Sequence, residues 1–223
     1  MPQDETAMYS HLRTPRAAAV AGIVFSILLV IIFWVFRSAV PADPLDPGTW
    51  LADGSRSVAL ALNLIPFAGI AFLWFIGVLR DRLGQREDRF FATVFLGSGL
   101  LFLASLFVAA TVVGALLLIA PSIEMTGTTA QTFRFGRAVA YILFNVYAIK
   151  MAGVFMISTS TVVVYTGIAP RWMAGIGYAL AALVLLGSFY FSWSIMVLPV
   201  WVLLISLHIL IDNLRSQGRS LHQ

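Results

Sequence analysis

Long apolar runs, separated by short polar segments, dominate the pattern of residues along the chain. A helix needs about 20 mostly apolar residues to cross the hydrocarbon core of a bilayer. Six runs have roughly that length or more: Ala17–Phe36, Val58–Leu79, Phe90–Ala120, Ala138–Ile168, Trp172–Tyr190 and Ser194–Leu210. The pattern therefore predicts an all-α fold, a polytopic helical bundle with six transmembrane helices.

The lengths and spacing of these runs leave two points open. The third and fourth runs would form helices of roughly 45 Å, so we expect them to tilt, bend or project beyond the bilayer. Only residues 191–193 separate the last two runs. Without a turn there, the chain would cross five times and its C-terminus would change side. We expect one transmembrane domain, residues 17–212, between cytoplasmic tails at 1–16 and 213–223.

The basic residues are unequally distributed between the two sides of this bundle. With six crossings, nine arginines lie on the side of the termini: Arg13, Arg16, Arg80, Arg82, Arg86, Arg89, Arg171, Arg215 and Arg219. Four lie on the other side: Arg37, Arg56, Arg134 and Arg137. Because Lys and Arg concentrate in cytoplasmic loops, both termini are predicted to be cytoplasmic. Five crossings would move Arg215 and Arg219 and leave a bias of only seven to six.

The composition agrees with a membrane location and excludes several kinds of chemistry. Hydrophobic residues make up 60% of the chain and charged residues 11%, whereas soluble domains carry about 25% charged residues. The chain has no cysteine, which excludes thiolate catalysis, iron–sulfur clusters and cysteine-based zinc sites. The net charge of +4 is typical of basic cytoplasmic loops, so we expect no binding of nucleic acid.

Lys150 is the candidate functional residue, because it lies inside the fourth run. Polar residues recur around it at roughly helical spacing: Tyr147, Lys150, Ser158, Thr161 and Tyr165. All ten acidic residues lie in tails, loops or at the end of a run, so no carboxylate is predicted to pair with the amine in the membrane. Three alternatives follow: a neutral amine, an amine that snorkels or binds a carbonyl group, or an amine that faces an aqueous path or an anionic ligand.

Two hypotheses for function come from different classes. The first is a non-enzymatic accessory or scaffold protein that binds partner helices or lipid, since no catalytic constellation is recognisable. The alternative is a transporter or channel for a small anionic or amphipathic solute. Its path would be lined by Lys150, Tyr147, Ser158, Thr161 and Asn63. We expect no enzyme, metal or cofactor, and as partners the lipid bilayer with a homo-oligomer or a larger membrane complex.

His208 and Asp212 form a further candidate, at the end of the sixth run. They lie one helical turn apart, and a carboxylate at that spacing can orient an imidazole. This pair could act as a proton switch. The alternative is a histidine at a helix end beside an aspartate already in water.

Two short segments carry a resemblance. Ile168–Trp172, which joins the fourth and fifth runs, and Phe75–Arg82 with the following Phe90–Thr93 resemble segments of bacterial, actinobacterial-type polytopic membrane proteins. The resemblance implies a bacterial plasma-membrane location. It implies no activity, substrate or site residue.

Overall fold

The described residues of the computed structural model are 15–41, 51–83, 89–119, 128–187 and 193–220. They form seven α-helices: α1 (Pro15–Ala39), α2 (Leu51–Leu83), α3 (Arg89–Ile119), α4 (Thr128–Ile142), α5 (Ile149–Thr166), α6 (Arg171–Gly187) and α7 (Val197–Ser220). A π-helical turn, Leu143–Ala148, joins α4 to α5 without a break, and a 3₁₀ turn, Ser194–Met196, precedes α7. The predicted all-α class is confirmed for these residues, which include no strand.

Five helical segments are long and apolar enough to cross a membrane: Ala17–Ala39, Gly54–Arg80, Ala92–Ile119, Ala130–Thr166 and Ser194–Asp212. The predicted fifth crossing, Trp172–Tyr190, corresponds to α6, which has only 17 residues. At 1.5 Å per residue that helix is about 26 Å long, slightly less than the hydrocarbon thickness. Trp193, the described residue of the interruption predicted at 191–193, forms a turn that leads into the 3₁₀ turn before α7. Residues 191 and 192 lie outside the described residues.

The predicted loops 37–57 and 121–137 are too long. Helix α2 already begins at Leu51, and α4 begins at Thr128, ten residues before the predicted start of the fourth crossing. The reason is that hydropathy marks only the apolar part of a helix. Polar turns can extend the same helix beyond the hydrocarbon, where water and headgroups solvate their side chains.

Buried phenylalanines hold the centre of the bundle together. Phe72 of α2 lies 4.4 Å from Phe25 of α1 and 4.9 Å from Phe155 of α5, measured between ring centroids. Phe155 in turn stacks on Phe95 of α3 at 5.2 Å. Such ring pairs contribute about 0.5–1.5 kcal/mol each beyond the area they bury. One aromatic cluster therefore joins four of the helices.

Helices α1 and α7 are antiparallel neighbours. Gly22, in the first half of α1, lies beside Ser206, near the middle of α7. At the other end, the Arg37 guanidinium lies 5.7 Å from the ring centroid of Trp193, just before α7. The first residue of α1 and the last residue of α7 therefore lie at the same end of the bundle.

Helices α5 and α6 form an antiparallel hairpin. Gly167 ends α5 in the left-handed conformation (φ 66°), and its N–H donates to the Val163 carbonyl at 3.0 Å. A residue with a β-carbon is strained in that conformation, which is why glycine is favoured there. Pro170 then precedes the first residue of α6. A proline is well suited to this position, because it has no backbone N–H that would need a partner.

Candidate functional site

Lys150 lies in the first turn of α5 and is half-buried. Its Nζ donates a hydrogen bond to the carbonyl oxygen of Leu185, in the last turn of α6. An amine in an apolar bundle needs such a partner, because an unpaired charged group is costly there. Of the three alternatives for this residue, the structure therefore shows the carbonyl-bound arrangement.

The π-helical turn immediately before Lys150 changes how the polar side chains are arranged. A π turn places one more residue per turn than an α-helix does, so the residues before and after it are rotated out of α-helical phase. Tyr147 lies inside the turn and is 56% exposed, whereas Ser158 is 2% exposed. The predicted stripe depends on an uninterrupted α-helix. Because the π turn interrupts it, Tyr147 and Ser158 lie on different faces.

Thr161 and Lys150 both contact α6. The Thr161 hydroxyl lies 2.8 Å from the Tyr178 hydroxyl of α6, and it also donates to the Ile157 carbonyl within its own helix. Eleven residues along α5 separate it from Lys150, or roughly 16 Å at the α-helical rise. Two separate polar contacts therefore lie along the same helix–helix interface.

Asn63, the remaining residue of the predicted path, and Tyr165, the last residue of the polar stripe, lie elsewhere. Asn63 is exposed on α2, and its Nδ2 donates to the Ala59 carbonyl of the same helix at 2.8 Å. Tyr165 is 81% exposed at the end of α5. The arrangement thus brings Lys150 and Thr161 to one interface and leaves Asn63 and Tyr147 on exposed surfaces.

His208 and Asp212 both lie on α7, which is continuous through them. The histidine is half-buried and the aspartate is exposed. Because they are four residues apart on one helix, they share one face of it. The proton switch at this position stays a prediction. Among the side chains that the structure describes, no three His, Asp or Glu gather in a way that could hold a metal ion.

A cavity that the sequence did not reveal lies between α1, α3 and α4. It has a volume of about 180 Å³. Its polar lining residues are Arg37, Arg137, Tyr141 and Asn145, and aromatic walls come from Phe33, Phe36 and Phe144. Lys150 is not one of its lining residues. From the sequence alone, both arginines are predicted to lie in outer loops, where they serve only as topology signals.

Arg137 is the buried cation of this cavity, with 8% of its surface exposed. Its Nη2 donates to the Pro41 carbonyl at 3.2 Å. Arg37 is exposed and lies at the rim, where its guanidinium is above the Trp193 ring. The sequence contains a signal for this site, an arginine close to two aromatic residues that are three positions apart. Arg37 follows Phe33 and Phe36, and Arg137 precedes Tyr141 and Phe144.

Comparison of the chain with protein-family models, with curated proteins and with solved structures returns no match.

Proposed function

We propose that the protein is a non-enzymatic, multi-pass component of a bacterial plasma membrane that works by binding partner helices along its exposed apolar surface. The observation that carries this proposal is one face of α3. Helix α3 buries only 28% of its most apolar stretch, whereas α1, α2 and α7 each bury 44%. Most of that helix is thus available to lipid or to another protein.

From Leu100 to Ile119, the exposed residues of α3 follow helical spacing and form one continuous stripe, which we call the α3 face: Leu100, Leu101, Ala104, Phe107, Val108, Thr111, Ala115, Leu118 and Ile119. Large side chains alternate in it with Ala104, Thr111 and Ala115. Small residues allow the backbones of two membrane helices to approach closely. The Thr111 hydroxyl is bonded to the Phe107 carbonyl at 2.9 Å, so the stripe presents no unsatisfied hydroxyl donor there.

Single-cysteine cross-linking tests the α3 face directly, because the chain has no cysteine of its own. We would place a cysteine at Val108 or Leu101 on α3, and at Leu60 on α2 as a matched control that is also exposed. A bismaleimide should give adducts with V108C and L101C, either with a second copy in liposomes or with another protein in native membranes. Equal behaviour of L60C, or no adduct in either setting, would leave α3 facing lipid only and overturn the proposal.

The topology that goes with this proposal has six crossings with both termini in the cytoplasm. The excess of nine arginines over four on the terminal side supports it. The antiparallel packing of α1 and α7 also supports it, because an even number of crossings brings the two chain ends to one side. The short helix α6 would then be the fifth crossing.

Transport of a small anionic or amphipathic solute is the second candidate function. The half-buried amine of Lys150 in an apolar bundle favours it, since ionisable groups inside membranes commonly mark solute paths. This candidate requires Lys150, Tyr147, Ser158, Thr161 and Asn63 to line one path during transport. Uptake of anions into liposomes by the wild type but not by K150M would support it, and equal uptake by both would exclude this version.

A further inference from the structure

We propose that the cavity between α1, α3 and α4 binds a long-chain carboxylate from the membrane, with the carboxylate held between Arg37 and Arg137 and the first part of its chain in the apolar interior. This proposal stands on the cavity alone and does not depend on the α3 face. The two can therefore fail independently.

The charges of the cavity define the sign of the ligand. Two of the described lining residues are cationic and none is acidic. A guanidinium is stabilised in a low-dielectric site by an anion, and its planar fork of donors matches the two oxygens of a carboxylate. Arg137 is the buried cation of the pair, and Arg37 is the exposed one. The Trp193 ring orients Arg37, because a guanidinium above an indole face is attracted to it.

The walls of the cavity define the apolar part of the ligand. Beyond the guanidinium groups, most of the lining is formed by aromatic and aliphatic side chains, among them Phe33, Phe144, Ile65 and Val113. Tyr141 and Asn145 add polar side chains to the lining. Charge at one end and an apolar interior behind it are the two features that an amphiphile requires.

The volume restricts the ligand to a single chain. An apolar protein cavity of about 150 Å³ holds one benzene molecule, and this cavity measures about 180 Å³. It therefore accommodates the equivalent of roughly six or seven carbon atoms. The rest of a longer chain would lie along the helices in the bilayer. A carboxylate with one chain is the smallest amphiphile that meets both the charge and the volume of the cavity, and we assign the site to it in preference to a phospholipid.

The binding experiment uses the full-length protein in phosphatidylcholine nanodiscs. The probe is a 16-carbon carboxylate whose diazirine lies close to the carboxylate, within the part of the chain that the cavity holds. Light should cross-link the probe to residues that line the cavity, as located by mass spectrometry. Unlabelled laurate should compete, and dodecanol, which has the same chain without the charge, should compete at least about tenfold more weakly, because a charge-assisted contact is lost.

Three variants and one control separate the charge from the fold. R137Q and R37Q should each weaken binding about tenfold or more. R134Q is the matched control, because Arg134 is exposed on the same helix as Arg137 and is not a lining residue. V113F should also block binding while it keeps both arginines, since the larger ring fills the cavity. Because the loss of a buried arginine can impair folding, each variant is first compared with the wild type by gel filtration.

The proposal is overturned if the adducts fall outside the lining residues, or if dodecanol competes as well as laurate. It is also overturned if well-folded R37Q and V113F bind like the wild type. A lysophosphatidylglycerol that competes more strongly than laurate would show that the site prefers a phosphate, and would refute the carboxylate assignment.

Discussion

Replacement of Gly177 by alanine tests the packing of the bundle at its tightest described contact between α6 and α7. A methyl group on Gly177 would lie 2.6 Å from Cζ2 and 2.9 Å from Cε2 of the Trp201 ring. Trp201 is buried, so a shift of its ring would have to displace neighbouring side chains. The methyl group would also press against the Ser160 hydroxyl of α5.

The chain provides a matched control two residues away on the same helix. Gly175 is exposed, and a methyl group there would meet no atom within 4 Å. Both substitutions replace glycine by alanine in α6, so the gain in helix propensity of up to about 1 kcal/mol applies to both. The difference between G177A and G175A therefore isolates the packing cost, which is about 1–3 kcal/mol for an overpacked site.

The free energy of unfolding would be measured for both variants in mixed micelles, by titration with a denaturing detergent and far-UV circular dichroism. We expect G177A to be less stable than G175A by about 1–3 kcal/mol. The additional substitution W201F should recover part of this loss, because a smaller ring leaves room for the methyl group. Equal stability of G177A and G175A would refute the packing between α6 and α7 described above.

Three further predictions follow from single side chains. K150M should speed amide hydrogen exchange around Leu185 of α6, measured by mass spectrometry, because α6 loses the hydrogen bond that ties it to α5; unchanged exchange would contradict a stabilising role of this bond. F155A should lower the free energy of unfolding by about 3–5 kcal/mol, since Phe155 contacts both Phe72 and Phe95. F135A, at an exposed site, should change it by less than about 0.5 kcal/mol, and equal losses would contradict the aromatic core.

The sequence predicted the helices well, because the apolar runs that must lie in lipid are longer than any other feature of the chain. It predicted their ends less well. The segment 128–137 contains Arg134 and Arg137 and reads as a loop, yet it is helical. A helix outside the hydrocarbon needs no apolar side chains, so hydropathy has no means of detecting it.

The partners of the polar residues were harder to predict than their positions. The Lys150 amine binds a backbone carbonyl, and a carbonyl group carries no side-chain signal in the sequence. The π turn before Lys150 also shifts the face on which Tyr147 lies, and no residue pattern marked it. The cavity joins Arg37 to Arg137, which are a hundred residues apart, so only the tertiary fold brings them together.

Small residues four positions apart, Gly177 with Ala181 and Ala110 with Gly114, predict close contacts between helices. Gly177 and Ala181 are both buried in α6, as expected for residues at a close helix crossing. Gly114 was predicted to do the same in α3, but a methyl group there would meet only Leu62, at 3.8 Å. Spacing shows which helix faces can pack closely, and the neighbouring side chains determine which of them do.

The proposed topology of six crossings is tested most directly by determining on which side of the membrane four single cysteines lie. A maleimide that cannot cross the membrane would be added to intact cells that express S10C, T49C, S192C or Q223C. We expect labelling of T49C and S192C only, because six crossings with both termini in the cytoplasm place these two residues outside. Labelling of Q223C in place of S192C would mean that α6 does not cross the membrane, and it would contradict the topology of six crossings.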